Sequence, residues 1–108
     1  MSDVKFNYPS RPDVQVLKGV NIEVRTNQII ALVGSSGCGK SSIISLLERF
    51  YDPIEGKVMF NDVDLKDIDN AWYHQTQIAI VQQEPILFSG SIRSNILYGV
   101  DFGDLTED

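Results

Sequence analysis

Ile29-Ile30-Ala31-Leu32-Val33-Gly34-Ser35-Ser36-Gly37-Cys38-Gly39-Lys40-Ser41-Ser42 runs from five apolar residues into a glycine-rich loop. The unbroken run 29–33 predicts a strand buried on both faces, as central strands of a parallel sheet are. Beyond the loop, Ile43, Leu46, Leu47 and Phe50 recur at helical spacing, which predicts a helix there. Arg49 suits its last turn, and Pro53 forbids continuation. Residues 34–41 fit G-x-x-x-x-G-K-[ST] without a mismatch. With average residue usage those four fixed positions match by chance about 3 × 10⁻⁵ of the time per start, or roughly 0.3% over such a chain. Strand before and helix after make a plain turn less credible still, so the stretch reads as a phosphate-binding loop.

The residue types fit that chemistry. A polyphosphate presents many negative oxygens close together. Backbone N–H groups surround it only where the chain curls tightly, which glycine permits at low steric cost. Gly37 and Gly39 allow close approach of the backbone, and the following helix turns its positive end toward the anion. Lys40 is the point charge for the β- and γ-phosphates, and Ser41 carries the hydroxyl for Mg²⁺. Cys38 has two readings: a thiol of lowered pKa beside Lys40, or simply a small side chain that fits the loop. The second is preferred, and neither makes it a nucleophile, since no paired histidine and orienting acid can be recognised.

Outward from the loop, Val4-Lys5-Phe6-Asn7-Tyr8 alternates apolar and polar and predicts a half-buried strand, with a turn over 9–13. Residues 14–17 and 20–24 are two further strand candidates, and Asn27 suits a tight turn at positive φ. Residues 57–60 predict a short strand closed by Asn61-Asp62. Asp69 or Asn70 caps a short helix through about residue 75. Ile78-Ala79-Ile80-Val81 predicts a second buried strand, followed by a loop at 82–85. Ser91 caps a helix over 92–97 that Gly99 stops. Thr106-Glu107-Asp108 reads as the first turn of another helix, which predicts that the chain is part of something longer.

The 108 residues allow one domain at most, and 43% hydrophobic content allows a core. Nine basic and fifteen acidic side chains give a net charge of −6, against the basic stripe that nucleic-acid binding requires. Residues 1–50 carry six basic and four acidic side chains (+2), and residues 51–108 three and eleven (−8), so an anion is better received in the first half. A single cysteine excludes an intrachain disulfide framework and fits a reducing compartment. Asp62, Asp64, Asp67 and Asp69 lack the glycine and terminal glutamate of a calcium loop and read as a solvated turn. His74 lacks metal-ligand spacing and reads as a surface residue.

Phe6-Asn7-Tyr8-Pro9-Ser10-Arg11-Pro12, Val16-Leu17-Lys18-Gly19-Val20, residues 31–42, residues 80–88, Ile92 and Asn95-Ile96 together resemble the ATP-binding cassette (ABC) transporters. The similarity is to the exporter branch of P-glycoprotein and other multidrug-resistance transporters, and it covers the chain in one register. It implies an α/β P-loop NTPase half-domain, with antiparallel strands beside a partial parallel sheet and flanking helices. It implies ATP and Mg²⁺ as ligands, held by Gly34, Ser35, Ser36, Gly37, Cys38, Gly39, Lys40, Ser41 and Ser42. Tyr8 matches the aromatic that stacks on adenine, whose flat face needs apolar area. Arg11 and Val16 fall where the family lines the adenosine and phosphate edge. Gln83, before Glu84-Pro85, matches the Q-loop glutamine that helps hold Mg²⁺; Gln82 is the alternative by one place.

Departures from the family pattern also count. Asn27 stands where many relatives have glycine, and 72–75 lacks a common arginine. The chain contains no LSGGQ-type signature, no hydrophobic strand ending in Asp-Glu and no switch histidine. Residues 1–108 therefore read as the N-terminal part of a nucleotide-binding domain, without the groups that position water for hydrolysis. The implied partners are a transmembrane domain of the same transporter and a second nucleotide-binding domain, at the cytoplasmic face of a membrane. Self-association through exposed core or sheet edge is a further expectation. The rival readings are a nucleotide-binding or interaction-only fragment without ATPase activity, and a soluble P-loop ATPase.

Overall fold

The computed structural model describes residues 1–35 and 39–99, and the chain divides into two units, Met1–Asn70 and Ala71–Asp108. In the first unit, β1 (Ser2–Phe6) is the middle of a three-stranded antiparallel sheet, between β2 (Leu17–Val20) and β3 (Glu55–Lys57). Alternation puts Val4 and Phe6 of β1 inside and leaves Asp3 exposed. Met1 and Ile22 exchange hydrogen bonds beyond the β1–β2 ladder, with the N-terminal amine donating to Ile22 O at 2.8 Å and Ile22 N–H to Met1 O at 3.1 Å. Gly56 at φ +84 lets β3 approach β1; a Cβ there would collide with the Ser2 and Asp3 carbonyl oxygens.

The helix predicted after the loop forms as α1 (Lys40–Leu47), burying Ser42, Ile43 and Leu46. It begins three residues earlier than the apolar spacing indicated, because polar Lys40, Ser41 and Ser42 complete its first turn. It stops before Pro53 through a C-terminal motif in which Phe50 N–H bonds Ser45 O (3.0 Å) and Arg49 N–H bonds Leu46 O (3.1 Å). Arg49 occupies the left-handed position (φ +56) that glycine usually takes. Residues 57–60 break into β3 and β4 (Met59–Phe60) around buried Val58, and β4 pairs with β5 (Val63–Asp64). Asn61 (φ +48) and Asp62 (φ +63) make the two-residue turn between them, as their composition predicted. Among the described residues of this unit, Val4, Phe6, Leu17, Ile43, Leu46, Val58 and Leu65 are the buried apolar ones.

The strand predictions need correction. Of the candidates 14–17 and 20–24, only Leu17–Val20 forms a strand. Asn27 does take the predicted positive φ (+60). The runs 29–33 and 78–81 form no ladder among the described residues, and Ile29, Val33 and Val81 are more than 90% exposed. A strand buried on both faces depends on neighbours for its hydrogen bonds and on layers above and below; an apolar run alone does not supply them. The described sheets are accordingly antiparallel, in a mixed α/β chain.

The helix α2 (Asn70–Trp72) begins on the last residue of the first unit, and in the second unit the chain continues as a wide turn at Tyr73–Gln77, where Ile78 N–H reaches Tyr73 O at 3.2 Å. Ser91 caps α3 (Ile92–Ile96) as predicted, its Oγ accepting from Ser94 N–H at 3.0 Å. Asn95 reaches back to the loop before it, accepting from Phe88 N–H (2.8 Å) and donating to Phe88 O (3.1 Å). The helix turn predicted at 106–108 lies outside the described residues. Among those residues no helix is long and apolar enough to cross a membrane.

Candidate functional site

The site of the first unit is built from two segments. One is the loop after β1, where Tyr8 O accepts from Arg11 N–H (2.9 Å) and Arg11 O from Val14 N–H (3.2 Å). These two turns fold the Pro-Ser-Arg-Pro stretch back, so that Val16 N–H bonds Phe6 O at 2.9 Å and β2 begins. The second segment is the start of α1. Gly39 precedes it at φ +100, ψ 5, with no side-chain cap. Its φ of +100 is an angle that residues with a side chain rarely adopt, and a Cβ there would also press on Leu17 Cδ2 at 2.9 Å, a side-chain end that can shift. The first N–H groups of a helix have no intrahelical acceptor, so an uncapped start leaves donors for an anion.

Tyr8, Arg11, Val16, Gly39, Lys40, Ser41 and Ser42 border one cleft of about 580 Å³. Lys40 Nζ donates to Gly34 O, which ties the two ends of the glycine-rich loop together. Ser41 is exposed, whereas Ser42 is buried and shares a 2.7 Å hydrogen bond with the Tyr8 hydroxyl. The Tyr8 ring stands nearly perpendicular to Phe6 (centroids 4.9 Å, 75°) and to Tyr51 (5.4 Å, 89°).

Gly34 and Ser35 are exposed, and Ser36, Gly37 and Cys38 lie outside the described residues. Gln83 and Gln82 are exposed on a loop of the second unit. Two residues escaped the sequence reading. Val14 also borders the cleft, and Tyr51 braces Tyr8. Val14 lies two residues before Val16 in the same loop, and no strand there orders the two, so the sequence carried no signal for it. Tyr51 is too distant in sequence from Tyr8 for any local pattern to join them.

The cleft has the size of a small-molecule site, its volume falling within the roughly 300–1,000 Å³ of such sites. It joins an aromatic ring to two cationic side chains and an exposed hydroxyl. Among the described residues no group of three or more His, Cys, Asp or Glu could hold a metal ion. That donor set does not argue against Mg²⁺, which keeps several waters and takes few protein ligands beside substrate phosphates.

Residues 17–107 match the ABC transporter family. The chain is 54% identical over 97 residues to "Multidrug resistance protein homolog 65" of Drosophila melanogaster, covering 90% of this chain and 7% of that protein. It is 50% identical over 101 residues to "ABC transporter B family member 1" of Dictyostelium discoideum, covering 94% and 11%. It is 50% identical over 97 residues to "ATP-binding cassette sub-family B member 5" of Homo sapiens, covering 90% and 8%. The chain thus spans about a tenth or less of the length of these curated relatives.

Proposed function

Because the chain belongs to the ABC transporter family, with the α/β P-loop class of its nucleotide-binding domain, we propose that residues 1–108 bind Mg-ATP as the first part of such a domain. The observation that carries this reading is the single cleft bordered by Tyr8, Arg11, Val16 and the start of α1. Tyr8 and Val16 offer apolar surface to adenine. Arg11 lies toward the adenosine and phosphate edge. The motif assigns Gly34, Ser35, Ser36, Gly37, Cys38 and Gly39 to the phosphates, with Lys40 as the point charge and Ser42 beside it. Ser41 would hold Mg²⁺, which when bound neutralises charge on the phosphate oxygens, and holding the same ion is the role that the family resemblance implies for Gln83.

The 108 residues include neither a signature motif nor a hydrophobic strand ending in Asp-Glu, so the chain holds nucleotide without turning it over efficiently. The whole protein would couple ATP to export across a membrane. Its transmembrane domain and a second nucleotide-binding domain would be the partners, with this domain at the cytoplasmic face. The names of the relatives support a multidrug exporter. Exposure of Ile29, Val33 and Val81 favours a second property, self-association of the isolated chain.

Calorimetric titration of Mg-ATP into the chain and into Lys40→Ala tests the binding. Saturable binding that the variant weakens strongly is expected. A folded, monodisperse chain that takes no nucleotide would sink the proposal.

A further inference from the structure

We propose that Ser42 is a positioning residue for base recognition: its buried hydroxyl pins the Tyr8 phenol, and so couples the adenine-facing aromatic to the helix that receives the phosphates. The inference rests on the ATP-binding reading and assigns a role inside it. Tyr8 and Ser42 are 34 residues apart, yet their hydroxyl oxygens lie 2.7 Å from one another. Ser42 is 3% exposed, and a buried hydroxyl needs a partner. Tyr8 supplies it.

The two adjacent serines therefore divide the work. Ser41 is exposed beside the cleft and available to a ligand, while the Ser42 hydroxyl turns inward to the phenol. The ring of Tyr8 is already confined by Phe6 and Tyr51. Phe6 is 2% exposed and held in β1, so it is a fixed wall. With its sides bounded and its tip tied, the ring has little freedom left to lose when a base stacks on it. Pre-organisation of this kind raises affinity by reducing the ordering cost of binding.

The test compares Mg-ATP with Mg-tripolyphosphate, which carries the phosphates without the base. Each is titrated into the unmodified chain, Ser42→Ala, Ser42→Thr, Tyr8→Phe and the Ser42→Ala/Tyr8→Phe double variant, with circular dichroism confirming the fold of each. The ratio of ATP to tripolyphosphate affinity is expected to fall roughly 2- to 10-fold in Ser42→Ala, the worth of one hydrogen bond. Tyr8→Phe should give the same fall, the double variant no more than either alone, and Ser42→Thr should restore the ratio. An unchanged ratio in Ser42→Ala overturns the inference, because Ser42 then acts at the phosphates or only in the fold. So does a double variant whose losses add. If the unmodified chain binds neither ligand, the ATP-binding reading fails first and the inference with it.

Discussion

Lys40, in the first turn of α1, donates from Nζ to the carbonyl oxygen of Gly34, the first residue of the glycine-rich loop. An ammonium has three protons, so it can keep the carbonyl while it meets an anion. Lys40→Met is expected to weaken pyrophosphate binding about 10- to 100-fold, the range for one charge-assisted hydrogen bond. Lys40→Arg should fall between, because a planar guanidinium replaces a point charge at the same stem. Titration at low and high salt checks both, and the loss should shrink as salt screens the charge. Equal affinity in the Met variant would remove Lys40 from the anion site.

Gly39 has a structural duty separable from ligand binding. Its φ of +100 is strained for any residue with a side chain, and the 2.9 Å approach of a Cβ to Leu17 Cδ2 adds only what a shift of that side-chain end costs. Gly39→Ala is expected to cost about 1–3 kcal/mol in urea unfolding. Ser41→Ala, at an exposed neighbour, should stay within about 0.5 kcal/mol. If Gly39→Ala unfolds at the same midpoint as the unmodified chain, the loop does not enter α1 at this angle.

The end of α1 carries a non-glycine in a glycine position. Arg49 has φ +56, and its side chain reaches Asp52 Oδ1, Ile68 O and Asn70 Oδ1, each at 3.4 Å. Those ties compensate for the left-handed backbone. Arg49→Ala loses them and keeps the strain, whereas Arg49→Gly loses them and relieves it. The Gly variant should therefore be more stable than the Ala variant by about 1 kcal/mol. Denaturant midpoints decide the order, and coincident midpoints would deny the strain.

Lys5 and Glu55 are partners across β1 and β3, with Nζ and Oε2 2.8 Å apart. The hydrogen bond to Glu55, reinforced by its charge, raises the Lys5 pKa above its ordinary 10.5. A raised lysine pKa means the folded state holds the proton more tightly. The pair's contribution is thus complete below pH 10.5 and is lost as pH rises through the folded value. Both side chains are substantially exposed, so the effect is small and salt-sensitive. Lys5→Met should lower the thermal midpoint slightly near neutral pH, with the difference closing in strong alkali and in high salt. A difference that persists in both would assign the loss to packing of the lysine stem.

Local chemistry was legible in the sequence wherever one residue decides one geometry. Asn27 and the Asn61-Asp62 turn follow from side chains that tolerate positive φ, and Ser91 from its hydroxyl. The glycine-rich loop could be picked out because motif spacing encodes ligand shape, whereas Tyr8 was reached only through the resemblance to the family. Contacts between distant segments were not legible. Nothing near Ser42 announces Tyr8, and nothing near Tyr8 announces Tyr51. The runs 29–33 and 78–81 misled for a related reason: apolar character records that burial is wanted, while the partner that provides it lies elsewhere.

That unmet burial has a measurable consequence. Ile29 is 97% exposed, Val33 91% and Val81 96%. Each belongs to a short apolar run without a ladder among the described residues, so exposed apolar side chains stand there with no strand alongside. Such segments template pairing with another chain. The isolated chain is therefore expected to associate as its concentration rises, and Ile29→Lys with Val81→Lys should reduce association by adding like charge at the seam. Val33 is left unaltered because it adjoins Gly34 and the loop. Sedimentation velocity over a concentration series gives the mass. A chain that stays monomeric at every concentration would mean these runs find cover within one molecule, and would return them to the strands that their composition predicts.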